Sequence, residues 1–538
     1  MMEQWILLSD VRVPFDAEDS TIWEKATEKM KRAGVTASPL HFRLYKKSLD
    51  ARKRPAILAV CSVLMSYAPA IKLTDRALKA AGARLYREPP MSVEQGNEPM
   101  CDRPLVVGMG PAGLFCALLL AENGYAPILI DRGDDVAGRV RAVAQFYETG
   151  VLDTRSNIQF GAGGAGTFSD GKLITRVGDE KCGYVLRRFA EFGAPEDITT
   201  QARPHIGTDI LRDVVDNLLK HIEQCGGELR YRTCLTAIRE YPDGTVGAVT
   251  DRGEIPCSAI VLAPGHSARD TYAMLLEKGY AVSPKPFSVG VRVEHLQSDI
   301  DRILYGDLAG HPKLPTGEYS QSDTTGERGV YTFCMCPGGE VMAAASEEGG
   351  VVVNGMSHHA RDGVNANSAV AVSVFCEDYG NTPIGAIEYQ RALERAAFRA
   401  GGGDYTAPAQ TMGDFLAGKA GTEPSRVRPS YRGGKVKLCD LGTVLPDYIT
   451  ANLRRGFASF DRRMPGYIAP DTMLTGVETR TSAPVRLLRT ESMTALGHDR
   501  VYPCGEGAGY AGGITSAAVD GLRAALALMK RFAPPKHL

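Results

Sequence analysis

The chain has 538 residues, too many for one hydrophobic core, because single cores stop growing at roughly 250 to 300 residues and longer chains divide into domains. Its 44% hydrophobic and 23% charged residues and its formal net charge of -1 exclude a disordered or fibrous chain and give no global sign of a nucleic-acid binder. The 12 cysteines have neither the density of a disulfide scaffold nor the paired CxxC spacing of a zinc site, so reduced thiols, no metal and a cytoplasmic setting are expected.

The apolar patch at residues 5–8 lacks a basic flank and soon meets Asp10, Asp16, Glu18 and Asp19, so it does not read as a signal peptide. Strand-like and helix-like patterns alternate at 5–13, 21–33, 41–48, 56–66 and 75–81, which predicts a small α+β domain over residues 1–87. It carries Lys25, Lys29, Lys31, Arg32, Arg43, Lys46, Lys47, Arg52, Lys53 and Arg54 against few acids, a face that could meet RNA. With no aromatic stacking motif it reads as solvated surface, and a nucleic-acid partner is not expected. Pro89, Pro90, Gly96 and Pro99 mark residues 88–103 as a linker.

From 104 to 121 no residue is charged, close to the length of a bilayer-spanning helix. Gly108, Gly110, Gly113 and Pro111 would break such a helix at its centre, whereas a strand, a tight turn and a new helix use all of them, so no membrane span is expected. The apolar strand at 105–108 runs into Gly108-Met109-Gly110-Pro111-Ala112-Gly113 and a helix ending at Gly124, which is GxGxxG in the setting a dinucleotide requires. Gly108 permits the turn, Gly110 lets the backbone approach a pyrophosphate, and Gly113 lets helix and strand pack closely. The helix start with Pro111 and Ala112 offers free N–H groups to phosphate. Asp131, at the end of the strand at 127–130, stands where an acid accepts ribose hydroxyls, and Arg132 beside it belongs to the same expected site. The stretch 162–173 is too glycine-dense for a strand or helix and suits a backbone lying against a flat ligand, with Gly164, Ala165, Gly166 and Thr167 as contacts. A helix at 209–224, a short β-meander and a strand at 259–262 ending in Ala263-Pro264-Gly265 complete an α/β nucleotide domain over 104–282.

Between 283 and 479 the pattern changes to β-rich stretches at 287–294, 330–334 and 340–345 followed by helical ones, predicting a substrate or cap domain. From 480 to 538 a strand, a glycine cluster and a helix at 515–529 return, and most simply rejoin the nucleotide domain. The strand ends in Gly505-Glu506, and Gly512-Gly513-Ile514 opens the helix. This looks like the second flavin motif of two-domain flavoproteins, where the acid binds the ribityl chain and the helix start faces the flavin pyrimidine. A helix N-terminus there stabilises negative charge on a reduced ring. The first fingerprint alone does not separate FAD from NAD(P); this second one selects FAD.

Together these stretches resemble the largely uncharacterised bacterial FAD-dependent dehydrogenases, distant relatives of the two-domain flavoprotein reductases. The resemblance covers nearly the whole chain. Besides the glycine segments it rests on Lys47 to Lys53, Ser156-Asn157-Ile158-Gln159-Phe160, Gly265 to Asp270, Gly290 to His295, Cys334 to Gly339 and Ala344 to Gly350. It implies FAD and a Rossmann-type FAD-binding domain with an inserted β-rich α+β cap domain and a small N-terminal α+β domain; it does not imply a reaction.

Two residues stand out as catalytic candidates. Lys172, at the end of the glycine loop, either stabilises reduced flavin or an anionic substrate, or only closes the loop by pairing with Asp170. Cys336, with Cys334 in a Cys-x-Cys unit, either relays electrons to a disulfide substrate or is a buried small apolar residue. Arg292 and Glu294 share one strand face and are expected to pair, while His295, His358 and His359 have no partner spacing that marks a site. No second GxGxxG follows a strand. Reducing equivalents are therefore expected from the substrate, from transiently bound NAD(P)H or from an electron-transfer partner. A flavin-dependent RNA-modifying enzyme or a flavin-bound interaction module is the alternative reading.

Overall fold

The computed structural model describes residues 3–52, 56–175, 177–242 and 245–535; Met1, Lys53 and Arg54 fall outside them. At the N-terminus an antiparallel sheet is ordered His41–Asp50, Leu58–Tyr67, Gln4–Pro14, Ala83–Leu85, and the helices Asp19–Arg32 and Asp75–Ala81 pack on it. Ile22, Ala26 and Met30, at helical spacing, close this small core against Ile6, Leu8 and Val63. Four of its basic side chains have local partners: Lys25 and Arg32 pair with Glu28, Arg52 with Asp50, and Lys29 donates to the Ser9 and Asp10 carbonyls.

The segment 88–103 has no helix or long strand, yet it is tied down. The Gly96 N–H donates to the Met529 carbonyl at 2.7 Å, and Glu98 pairs with Arg500 and Arg531.

Five parallel strands follow in the order Val501–Pro503, Ile260–Leu262, Leu105–Val107, Ile128–Ile130, Glu228–Arg230. The C-terminal strand thus returns to the sheet begined by the first glycine fingerprint, roughly four hundred residues away in sequence, an arrangement that the nucleotide-binding sheet allows because parallel strands need no local hairpin. The uncharged stretch at 104–121 is the strand Leu105–Val107, a turn and the helix Pro111–Glu122, and no helix among the described residues is long and apolar enough to cross a membrane. That helix is buried on every side because it lies between the sheet and the helices Thr208–Gln224 and Ile514–Arg531. The three antiparallel strands Leu235–Glu240, Val246–Thr250 and Gly253–Cys257 form the expected meander.

Two helices, Val136–Thr149 and Lys181–Glu191, occupy stretches to which the sequence pattern assigns no element. The buried face of the first is Gly138, Arg139, Val143 and Phe146, so a glycine and an arginine stand where periodicity looks for apolar residues.

The second large sheet has seven strands, ordered Ser322–Asp323, Val330–Cys336, Asn365–Val374, Phe287–Leu296, Met473–Glu478, Ala407–Thr411, Val436–Leu438. Its central strand Phe287–Leu296 is buried almost throughout, and the helices Pro383–Gly401 and Asp447–Arg463 cover it. The short pair Gly339–Ala343 and Val353–Ser357 lies between this sheet and the glycine-rich loop.

Candidate active site

At the end of the Leu105–Val107 strand Gly108 turns with φ +104°, and its neighbour Asp131 staples the turn: one carboxylate oxygen accepts from the Met109 N–H at 2.9 Å and the other from the Gly133 N–H at 2.9 Å. Asp131 therefore fixes the loop that a phosphate would approach, besides lining the cleft in front of it. A side chain at Gly113 would meet the Gly108 carbonyl oxygen at 1.8 Å, so helix and strand touch there through backbone alone.

The cleft encloses about 1440 Å³ including its open mouth, and four remote segments form its glycine-rich wall. Gly108, Gly110, Pro111 and Ala112 come from the first turn, Gly164, Ala165, Gly166 and Lys172 from the glycine-rich loop. Ala263, Pro264 and Gly265 come from the third strand end, and Glu506, Gly512, Gly513 and Ile514 from the C-terminal segment. Two helix N-termini, at Pro111 and Ile514, thus open on one space, where their free N–H groups favour negative charge. Of the other expected contacts, Gly113 is packed behind the turn and Gly505 against Ala112. The Thr167 carbonyl accepts from Thr208, and Arg132 pairs with Asp270 over the Phe160 ring. None of these four lines the cleft.

The space fits a long flavin nucleotide by its shape and chemistry. Side chains built on Gly265, Gly512 or Gly513 would meet no protein atom within 4 Å, so these glycines leave open room beside backbone polar groups rather than serving internal packing. Two helix starts suit the phosphates and an anionic ring, and Glu506 is a carboxyl that can accept from hydroxyls. Burial pushes the Glu506 carboxyl up to about 7, against the downward pull of the Lys285 ammonium and the Gly513 N–H.

Supporting residues that the sequence does not reveal hold these parts. Arg139 is buried and donates to the carbonyls of Asn157, Ala162 and Ile158 at 2.6 to 2.8 Å, so the loop before the glycines hangs on one guanidinium. Burial lowers its pKa to about 9. Asp520 accepts both nitrogens of Arg489 and the Gly505 N–H at 2.7 Å, and so fixes the Gly-Glu turn. Gly521 allows its helix to cross the Pro111 helix, since a side chain there would meet the Ala112 carbonyl at 2.0 Å.

Lys172 lines the cleft and pairs with Asp170 at 2.6 Å and with Glu318 at 3.5 Å. Asp170 is buried and also accepts from Arg361 and Ser357. Burial would raise its carboxyl, but the Lys172 and Arg361 charges outweigh that and bring it to about 2. A cation and a loop closure are therefore the same residue here. Arg292 pairs with Glu478 at 3.0 Å instead of Glu294, because Glu478 lies on the adjacent strand beside it, while Glu294 accepts from Asn365 and Ser430. His295 is buried against the Tyr467 carbonyl and His359 stacks on His205, both away from the cleft. His266 does line it, and burial with the Arg480 and Arg269 charges lowers its pKa to about 3. Cys334, not Cys336, faces the space; Cys336 is buried behind it.

Two family models agree with this architecture. Residues 106–168 match the model of the NAD(P)-binding Rossmann-like domain, and residues 286–481 match that of the FAD-dependent protein, C-terminal domain-like family. The class is that of FAD-dependent oxidoreductases built on a Rossmann-type nucleotide domain. An uncharacterized protein of Clostridium beijerinckii is 44% identical over 537 residues, covering 99% of this chain and 100% of that one, and the chain belongs to the same family of FAD-dependent proteins. Aklavinone 12-hydroxylase DnrF of Streptomyces peucetius is 32% identical over 161 residues, 28% of this chain and 31% of that protein. Among solved structures, NikD, an unusual amino acid oxidase, has 13% identity and a TM-score of 0.33, covering 80% of this chain and 94% of that one.

Proposed function

We propose that FAD lies along the cleft with its pyrophosphate at Gly110–Ala112, its ribityl chain beside Glu506 and its ring against Gly512–Ile514, and that the protein is a reductase or dehydrogenase acting on a small molecule. The observation that carries this reading is the convergence of two helix N-termini and two glycine segments on one elongated space. Bound there, FAD supplies two-electron transfer chemistry. The chain's residues position and polarise it: Lys172 sets a cation at the cleft wall, and neutral His266 adds a hydrogen-bonding group that carries no charge near neutral pH. Substrate enters from the side of the seven-stranded sheet, where Phe333, Asn354 and Glu478 complete the lining.

Electrons reach the cleft from the substrate, from transiently bound NAD(P)H or from a partner protein. The test is reconstitution with FAD followed by anaerobic titration with NADPH or NADH and reoxidation by candidate acceptors. The expected result is stoichiometric flavin retention and bleaching by at least one donor. Protein that neither retains FAD nor gains thermal stability from it overturns the reading.

A further inference from the structure

The strand Val330–Cys336 pairs with Asn365–Val374 in register up to Phe333 opposite Ala369, and resumes with Cys336 opposite Asn367. One extra residue is therefore inserted, and Cys334 sits in it at φ +44°. In a straight strand, side chains two apart share a face but stand about 6.6 Å apart along it. A disulfide needs Cβ atoms about 3.5 to 4.5 Å apart. The bulge closes part of that gap: the Cys336 thiol folds back to donate to the Cys334 carbonyl at 3.3 Å. The Arg292 guanidinium donates to the same carbonyl at 2.8 Å, which fixes the bulge from below.

The two thiols differ. Cys334 is half-buried and lines the cleft, whereas Cys336 is fully buried. Hydrogen bonding from Cys336, reinforced by the Arg292 and Lys172 charges, lowers the Cys334 thiol to about 6 although burial opposes it, while the Cys336 thiol is pushed well above its usual value. One attacking and one resolving sulfur is the division of labour that thiol–disulfide exchange requires. Cys334 also stands close enough to Glu506 to raise that carboxyl, so it belongs to the end of the cleft where the flavin ring is placed.

We propose that Cys334 and Cys336 are a redox-active dithiol whose oxidant is a small-molecule disulfide admitted to the cleft. The Cys334 thiolate attacks one substrate sulfur, the substrate S–S bond breaks, and the first substrate half leaves as a thiolate that takes a proton from solvent. The Cys336 sulfur then attacks the Cys334 sulfur, its proton passes to the second departing thiolate, and an intramolecular disulfide remains. Two protein thiols are oxidised and one substrate disulfide is reduced to two thiols. The two electrons and two protons that reopen the protein disulfide come from reduced FAD, so this last step rests on the flavin reading above. A small molecule is specified because Cys334 lies inside the cleft rather than on an outer surface.

The thiol chemistry is testable in the purified full chain with or without flavin. Alkylation by iodoacetamide, followed on the peptide that holds both cysteines, is expected to show a Cys334 midpoint near pH 6. Cys336→Ser is expected to move that midpoint up, which a merely structural pair would not do. With 2-hydroxyethyl disulfide as probe, the wild type is expected to form the intramolecular disulfide, Cys336→Ser to trap a mixed disulfide on Cys334, and Cys334→Ser to give neither. An ordinary thiol midpoint in wild type, or no mixed disulfide in Cys336→Ser, overturns the dithiol. Equal reaction with the disulfides of folded insulin overturns the small-molecule assignment. Protein that shows this chemistry but neither retains added FAD nor is stabilised by it refutes the flavin reading alone, and protein that retains FAD but lacks this chemistry refutes the dithiol alone.

Discussion

At the scale of single residues, burial in the cleft wall sets the charge state of the Glu506 carboxyl. Its pKa rises from an ordinary 4.5 to about 7 on folding, so between these values the native chain holds a proton that the unfolded chain has lost. Stability therefore falls as pH rises from about 4.5 and levels off above 7. Glu506→Gln removes that titration, and thermal midpoints of the flavin-free protein measured across this range should fall in the wild type while the variant stays flatter; parallel curves would refute it. Lys172 offers a second residue-scale prediction. Lys172→Met removes a hydrogen-bonded cation from the cleft wall, an interaction worth about 1.5 to 3 kcal/mol. Flavin reduction by a nicotinamide donor should slow roughly ten- to a hundredfold, with FAD affinity little changed. If Lys172 only closes the loop, stopped-flow reduction will keep its rate and FAD affinity will drop instead.

At the scale of elements, the cleft depends on how closely the helices Pro111–Glu122 and Ile514–Arg531 cross. Gly521→Ala puts a methyl group 2.0 Å from the Ala112 carbonyl, which forces the helices apart. Overpacking of this kind costs about 1 to 3 kcal/mol. Urea unfolding should show that loss, and equilibrium dialysis should show weaker FAD binding, because both helix starts face the ligand. This crossing is invisible to sequence reading: Gly521 lies in an ordinary apolar helix pattern, and only the partner helix makes it obligatory. By contrast, the strand–turn–helix at Gly108–Gly113 is legible because its residues act on neighbours a few positions away. The same holds for the second motif at Gly505–Ile514 and for the amphipathic helix Thr208–Gln224. The helix Val136–Thr149 escapes because its key residue, Arg139, is buried for the sake of three carbonyls that lie 18 to 23 positions on. The Arg292 partner escapes for a related reason: strand alternation gives the face, but only sheet order brings Glu478 beside it.

At the scale of the whole molecule, the parallel sheet and the seven-stranded sheet are joined by a buried charge cluster. Glu394, on the helix Pro383–Gly401, accepts from Arg269 on the nucleotide side at 2.7 Å and from Arg480 at 2.9 Å, and also from the Thr479 hydroxyl. Arg480 in turn donates to Ser267 and Ser346, and both Arg480 and Ser267 line the cleft. Burial would raise the Glu394 carboxyl, but the two guanidinium charges hold it far below the usual range, so it is ionised at neutral pH. Glu394→Gln leaves two buried cations facing one neutral amide, and breaking a buried pair on one side costs about 3 to 5 kcal/mol. The loss should fall on the cleft and not on the whole chain, and the protein carries its own reporters for that distinction. Both tryptophans, Trp5 and Trp23, lie in the N-terminal sheet and helix, remote in the fold from the cluster, while flavin emission reports the cleft. In urea, release of FAD from Glu394→Gln should move to lower denaturant while the tryptophan transition keeps its midpoint. A joint shift of both signals would mean that the three parts unfold as one cooperative unit, and no shift of either would mean that the cluster does not hold the cleft together.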